Sequence, residues 1–172
     1  MCRKKLRDTL GGNLFPATLQ TATGAFVGIA SVGVLSIVAA PASGGSLLVA
    51  PLGATAMILF ASPRPATSTP YVVLVGNVTG ALAGLSLGQL ALPGALAAAL
   101  ALGGAIVLMS LLRAMHPPGA GMALVAALAG DQSWSEATHF LLECVLLNSA
   151  LLVGIALTWH AVTARVSRWI AG

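Results

Sequence analysis

The sequence predicts an all-α polytopic membrane protein with four long transmembrane helices and two short half-helices that each begin at a proline. The chain should form two structural repeats, inverted relative to each other. Of the 172 residues, 58% are hydrophobic and only 7% are charged, whereas a soluble domain has about 25% charged residues. The apolar residues are grouped into six segments separated by proline, glycine and the few charges. Such a chain could not cover a water-facing surface, so it is expected to form one membrane domain.

Four segments are long enough for a full crossing, which requires about 20 helical residues. They are residues 18–40, 71–90, 94–112 and 137–162. The first exceeds the roughly 7–15 apolar residues of a signal-peptide core, so it is predicted to be a true membrane span. The predicted organisation is a basic cytoplasmic tail over residues 1–13, a transmembrane domain over 14–165 and a C-terminal tail over 166–172.

The two remaining segments, residues 47–61 and 117–130, are short and contain Pro51 and Pro117. Proline is tolerated at the first position of a helix, where its missing N–H has no consequence. The stretch before each proline would be extended, and extended backbone at membrane depth must be shielded by protein or line a water-filled cavity. Each short segment is therefore predicted to be an extended arm followed by a half-helix that starts near the membrane midplane.

The short segments also resemble each other, which suggests an internal repeat. Both contain proline, any residue, glycine and alanine, followed by an apolar run, and Asn77 has a counterpart in Asn148. The predicted repeats are residues 14–91 and 93–165. Chance similarity between membrane segments rich in small residues is the alternative.

The charges favour six crossings. The cations that would then share the cytoplasmic side are those of the N-terminal tail, Arg64, Arg113, Arg165 and Arg168. Asp131 and Glu136 would face outside, in agreement with the positive-inside rule, and the two halves would be inverted as in many transporters. If both short segments are re-entrant instead, only four helices cross and Arg64 and Arg113 lie outside. The predicted location is a bacterial inner membrane, with both termini in the cytoplasm.

Two half-helix N-termini that face each other predict an anion site. Helix N-termini carry unpaired N–H groups and about +0.5 of an elementary charge each. Glycines would let an ion approach the main chain, Thr55 could add a hydroxyl, His116 could donate a hydrogen bond or change charge near neutral pH, and Arg113 could attract an anion at the cytoplasmic mouth. The predicted substrate-binding residues are Pro51, Leu52, Gly53, Ala54, Thr55, Asn77, Arg113, His116, Pro117, Pro118, Gly119, Ala120, Gly121 and Asn148.

Purely structural roles for several of these residues are the alternative. Arg113 could place its charge at the membrane interface, His116 could be a capping or packing residue, and Asn77 could either line the pathway or join two helices. Glu143, inside the sixth segment, is a candidate proton carrier or the partner of a cation such as Arg113. His139 and Glu143 share a helix face, but two ligands do not make a metal site, so no metal is predicted.

Glycines recur every fourth residue in the third segment, at Gly76, Gly80, Gly84 and Gly88. They form a smooth stripe against which another backbone can pack. The expected use is packing between helices of one chain, and a dimer interface is the competing use.

Three stretches carry a resemblance to a known family. His-Pro-Pro-Gly-Ala-Gly at 116–121, the block at 51–63 and Gly-Asn-Val-Thr-Gly at 76–80 resemble the HPP family of integral membrane proteins, and the likeness covers residues 14–160. It implies four transmembrane helices. It also implies functional roles for residues 51–55, His116, Pro117, Pro118 and Gly119. Plant and cyanobacterial members are associated with nitrite transport, which implies a small-anion substrate.

The predicted function is transmembrane transport of a small monovalent anion, with nitrite as the first candidate. The predicted partners are this anion, membrane lipids and further copies of the chain, such as a dimer. No nucleic acid or cofactor is predicted, and the sequence has no catalytic triad, metal-ligand cluster or cofactor fingerprint that would indicate an enzyme. The alternative is a non-transporting membrane scaffold or regulatory subunit whose glycine stripe packs against partner helices.

Overall fold

The computed structural model describes residues 14–39, 49–61 and 66–171, and the described part is helical without strands. The basic tail and Arg64 lie outside the described residues. The elements are α1 (Leu14–Ala39), α2 (Pro51–Ala61), a 3-10 turn (Ala66–Ser68), α3 (Pro70–Gly88), α4 (Gly94–Leu111), α5 (Pro117–Leu128), α6 (Trp134–His139), a π-helix (Phe140–Leu147) and α7 (Asn148–Ala171).

The prediction of four long apolar helices and two short ones is confirmed. The four candidate spans are Ala17–Leu35, Pro70–Gly88, Gly94–Leu111 and Trp134–Trp169, and the short apolar helices are Pro51–Ala61 and Pro117–Leu128. Both short helices begin at the predicted prolines, because proline has the right φ for a first helical position and lacks an N–H to leave unpaired. The last span is longer than predicted: it starts at Trp134, and α7 continues to Ala171 through residues predicted to be a tail.

Two hydrogen bonds define the ends of the helix bundle. The Tyr71 hydroxyl donates to the Leu112 carbonyl at 2.8 Å, which joins the start of α3 to the end of α4. The Gln89 side chain donates to the Gln132 carbonyl at 3.0 Å, which joins the end of α3 to the link after α5. We name these the Tyr71 end and the Gln89 end.

The short helix α5 runs parallel to α3 and carries the chain between the two ends. Gly76, early in α3, lies against His116 at the start of α5, and Gly88, the last residue of α3, lies nearest to Gly130 after α5. Because α4 ends at the Tyr71 end and the link after α5 lies at the Gln89 end, the fifth segment crosses the bundle. A re-entrant fifth segment would have returned to the Tyr71 end.

The short helix α2 runs toward the Tyr71 end, where the 3-10 turn leads into α3. The Thr21 hydroxyl donates to the Phe60 carbonyl at 3.3 Å, so α1 begins beside the end of α2 and runs the opposite way. His160 donates through Nε2 to the Leu59 carbonyl at 2.9 Å, which places the second half of α7 at the same end. These six directions are the ones that inverted repeats require; superposition of the two halves stays a prediction.

Helix α3 is the centre of the bundle, since 61% of its membrane span is buried against 17% for α1. Its glycine stripe faces α5: a Cβ at Gly80 would overlap the main chain of Gly119, and a Cβ at Gly84 would overlap that of Ala123. The stripe lets α3 and α5 approach closely, as small residues do between membrane helices. A partner helix would have to use another surface, because α5 covers this one.

Candidate functional site

Four fully buried polar side chains meet inside the bundle, and we name them the polar centre: Thr55 of α2, Asn77 of α3, His116 before α5 and Ser149 of α7. Each is 0% exposed. Polar groups at membrane depth are unfavourable unless they are paired, so their occurrence there is a functional signal. The sequence predicted Thr55, Asn77 and His116 as site residues.

The polar centre lies where the two half-helices overlap at their beginnings. Gly121, in the second turn of α5, faces Pro51 at the start of α2, and a Cβ on that glycine would lie 3.1 Å from the proline Cγ. One turn further along α2, Thr55 reaches His116 at the cap of α5. Since α2 and α5 run in opposite directions from this overlap, the N-terminal ends of both helices, which carry the positive ends of their dipoles, lie within about one turn of the polar centre.

A continuous chain of hydrogen bonds joins the four side chains. His116 Nδ1 lies 2.9 Å from the Thr67 carbonyl, which can only accept, so Nδ1 carries the hydrogen. His116 Nε2 lies 3.2 Å from Thr55 Oγ1. The Asn77 amide nitrogen donates to Thr55 Oγ1 at 3.3 Å and to Ser149 Oγ at 3.0 Å. In the neutral imidazole Nε2 is an acceptor, so the Thr55 hydroxyl donates to it.

One polar atom of the centre has no partner. Asn77 Oδ1 is buried and accepts no hydrogen bond from the described part of the chain. An unpaired buried acceptor destabilises a fold by about 1–3 kcal/mol, and natural proteins leave few of them. The polar centre thus contains a position for one further hydrogen-bond donor.

Several predicted site residues lie away from the polar centre. Leu52 belongs to the apolar core and Ala120 packs toward α4, while Gly53 and Ala54 lie on the exposed side of α2. Gly119 lies against the main chain of Gly76, so its small size serves helix packing. These residue types are typical of a membrane helix, but their positions around the helix turn them away from the polar centre.

The remaining predicted residues have structural partners or exposed positions. Asn148 is fully buried and donates to the Cys144 carbonyl at 3.2 Å, while its neighbour Ser149 reaches Asn77 instead. Glu143 is 48% exposed and pairs with His139 at 3.2 Å, so it is neither in the polar centre nor bonded to Arg113. Arg113 is exposed in the link before α5, with a φ of 52°.

Sequence reasoning missed Ser149 and Thr67. Thr67 contributes only its main-chain carbonyl, which side-chain identity cannot reveal. Ser149 follows eight residues of π-helix, whose wider turns change which residues face inward. No sequence pattern predicts that π-helix. The sequence predicts a regular α-helix there, which gave no reason to choose Ser149.

The predicted unpaired main-chain N–H groups are accounted for within the half-helices themselves. Leu52 and Gly53 donate to the Val49 and Ala50 carbonyls, both at 3.0 Å, and Gly119 donates to the His116 carbonyl at 2.9 Å. The prolines at the two starts have no N–H to offer. In this conformation these main-chain N–H groups are therefore not free for a ligand, and a ligand would have to bind through the side chains of the polar centre.

Comparison with known proteins decides the family. A family model described as "HPP, transmembrane region" matches residues 13–168. The chain belongs to the HPP family. No curated protein and no solved structure matches this HPP protein.

The structure gives the His-Pro-Pro stretch of this HPP protein a physical role. His116 is the N-cap of α5, in an extended conformation, and its side chain makes no capping bond. Because Pro117 and Pro118 lack N–H groups and Gly119 donates to the His116 carbonyl, the first turn leaves the imidazole no donor to cap. The side chain is thereby directed to Thr55 and Thr67. The two prolines thus leave the His116 side chain free of a capping role in its own helix.

The described residues of this HPP protein contain no group of three or more histidine, cysteine, aspartate or glutamate side chains that could hold a metal ion. Its polar centre instead contains an imidazole, a carboxamide and two hydroxyls, with no carboxylate among them. This chemistry suits hydrogen bonding and proton exchange with a small polar solute.

Proposed function

We propose that this HPP protein is a carrier that moves a small monovalent anion, preferably nitrite, across the membrane through the polar centre. The observation that supports the proposal is the fully buried polar centre at the overlap of two half-helices that run in opposite directions. Transporters commonly place their substrate site near the bilayer midplane between broken helices of two repeats.

The charge distribution at the polar centre favours an anion over a cation. Each half-helix begins within about one turn of this point, and the positive end of a helix dipole is equivalent to about half an elementary charge. The four side chains contain no carboxylate that would attract a cation. Gly76 lies against His116 and Gly121 lies against Pro51, so the main chain approaches closely beside the centre, which favours a small ion.

The burial of the polar centre supports a carrier over an open channel. All four side chains of the polar centre are 0% exposed, so water reaches them from neither end. A solute can enter only if the protein around the centre moves, and in alternating access that movement is of one half relative to the other. An open channel would show a continuous polar path through the described helices.

The charges at the bundle ends support a membrane orientation. Arg113, Arg165 and Arg168 lie toward the Tyr71 end, whereas Asp131 and Glu136 lie at the Gln89 end. By the positive-inside rule we place the Tyr71 end in the cytoplasm of a bacterial cell. Arg113 would then raise the local anion concentration at the cytoplasmic entrance.

Uptake by proteoliposomes tests the proposal. We expect vesicles containing the wild-type protein to take up nitrite faster than empty vesicles, with nitrate, formate and chloride as comparison anions. Asn77→Leu should abolish the difference, because it removes the side chain that joins Thr55 to Ser149. The matched control is Gly103→Ala on the exposed side of α4, where a Cβ meets nothing within 4 Å. Equal fluxes of all four anions in protein-containing and empty vesicles would refute anion transport.

A further inference from the structure

We propose that His116 takes up one proton with each anion, and that this proton converts the polar centre from one that offers an acceptor into one that offers a donor. The inference rests on the proposed function and specifies its coupling ion and the residue that binds it. Two observations carry it: the direction of the hydrogen-bond chain, and the unpartnered buried oxygen of Asn77.

The hydrogens of the neutral centre can be counted. His116 gives its Nδ1 hydrogen to the Thr67 carbonyl, and Thr55 gives its hydroxyl hydrogen to His116 Nε2. Asn77 gives one amide hydrogen to Thr55 and the other to Ser149. These four hydrogens are all used, and the buried atom left without a partner is an acceptor, Asn77 Oδ1. At Asn77 Oδ1 an anion would meet an oxygen lone pair instead of a donor, so this position of the neutral centre disfavours anions.

Protonation of His116 at Nε2 reverses this preference. Nε2 then donates to Thr55 Oγ1, and the threonine hydroxyl hydrogen must find another acceptor. If the Asn77 amide keeps its orientation, the Thr55 hydrogen is left for a ligand. If the amide turns over, its oxygen accepts from Thr55 and its NH2 group occupies the position of the former oxygen. Both arrangements leave a donor hydrogen that a bound anion would accept.

The charges around the centre make proton and anion binding mutually dependent. The elements and links around it carry these ionisable groups in the described chain: Tyr71, Arg113, Asp131, Glu136, His139, Glu143, Cys144, His160, Arg165 and Arg168. None has a hydrogen bond or ion pair to the polar centre, and α2, α4 and the 3-10 turn carry no ionisable residue. A buried imidazolium or a buried anion alone would be uncompensated, whereas together they form a neutral pair. Each therefore increases the affinity for the other.

The resulting transport step balances charge and atoms. One proton from water binds Nε2, one anion binds the donor at Asn77 or Thr55, and both leave on the other side when the site opens there. The net event is movement of one anion with one proton, without net charge. A membrane potential should therefore have no effect on the rate.

Proteoliposomes that enclose the pH indicator pyranine test the coupling. An inward sodium nitrite gradient should acidify the lumen of wild-type vesicles beyond that of empty vesicles, with one proton per nitrite, and a potassium–valinomycin potential should not change the rate. His116→Gln, which cannot take up the proton, should lower uptake at least tenfold. Nitrite uptake that responds to the potential and carries no proton would overturn the coupling and leave the proposed function intact. Absence of nitrite uptake would overturn both.

Nitrogen NMR of 15N-histidine-labelled wild-type protein gives a readout that does not depend on a variant. The chain has 3 histidines, and His116→Gln identifies the signal of interest. Sodium nitrite should convert His116 from the neutral Nδ1–H form to the doubly protonated form and leave His139 and His160 unchanged. A His116 signal that stays neutral at saturating nitrite, in protein that transports nitrite, would overturn the proposal.

Discussion

At the residue scale, His116 shows how local chain chemistry directs a polar side chain into the bundle. An ordinary N-cap side chain turns back onto its own helix to accept from the first N–H groups. Here the two following prolines provide none, and the imidazole faces Thr55 and the Thr67 carbonyl instead. The sequence revealed this histidine because a polar residue beside two prolines is unusual in an apolar chain.

Arg113 combines a backbone conformation that favours glycine with a positive charge. Arg113→Gly changes both, and each change has its own measurable effect. It ends α4 in the left-handed region, with φ 52°, and the Ala114 N–H bonds back to the Met109 carbonyl at 2.8 Å. Glycine is the usual residue at this point of such a helix end. We expect Arg113→Gly to raise the free energy of unfolding by about 1 kcal/mol, because glycine lacks the Cβ clash.

The same substitution should weaken transport. Loss of the positive charge at the entrance should raise the KM for nitrite several-fold at low ionic strength, with a smaller effect at high salt because salt screens an exposed charge. Thermal unfolding in detergent and uptake at two salt concentrations are the measurements. A KM unchanged at both salt concentrations would show that Arg113 has only a structural role.

At the element scale, the close contact between α3 and α5 depends on glycine. We expect Gly80→Ala to destabilise the protein by about 1–3 kcal/mol, since the added methyl would overlap the main chain of Gly119 and force the helices apart. Gly103→Ala is the matched control: its Cβ meets nothing within 4 Å, and alanine is the better helix former by up to about 1 kcal/mol. Equal unfolding temperatures for the two variants would contradict this account of the contact.

The elements differ in how well the sequence predicted them. Pro51 and Pro117 located the starts of both half-helices, because the constraint that proline imposes is local. The start of the last helix was placed three residues late, although Ser133 and Glu136 form a capping box there whose spacing is readable in the sequence. The π-helix over Phe140–Leu147 could not be predicted, since it depends on how α7 packs in the bundle.

At the scale of the whole molecule, apolar length was enough to predict four spans and two short helices. Whether the short helices cross was not decided by composition, because single arginines near a pore can oppose the positive-inside rule. The decisive facts were tertiary contacts: Gly76 with His116 at one end of α5, and Gly88 with Gly130 at the other.

Side-specific labelling tests the crossing of α5. In a chain with Cys2→Ser and Cys144→Ala, we expect Arg113→Cys and Asp131→Cys, both at exposed positions, to react with an impermeant maleimide from opposite sides of the membrane. The cytoplasmic side should be that of Arg113. Reaction of both from the same side would mean that α5 is re-entrant.

The central claim is that the transported anion occupies the polar centre, and ligand protection at position 55 measures this most directly. In the same cysteine-free chain, Thr55→Cys should react slowly with a small anionic methanethiosulfonate as the site opens, and saturating sodium nitrite should slow the reaction at least several-fold. Asp131→Cys, exposed at the Gln89 end, should react at a rate that nitrite does not change. Reaction of Cys at position 55 at the same rate with and without nitrite, in vesicles that transport nitrite, would contradict the account.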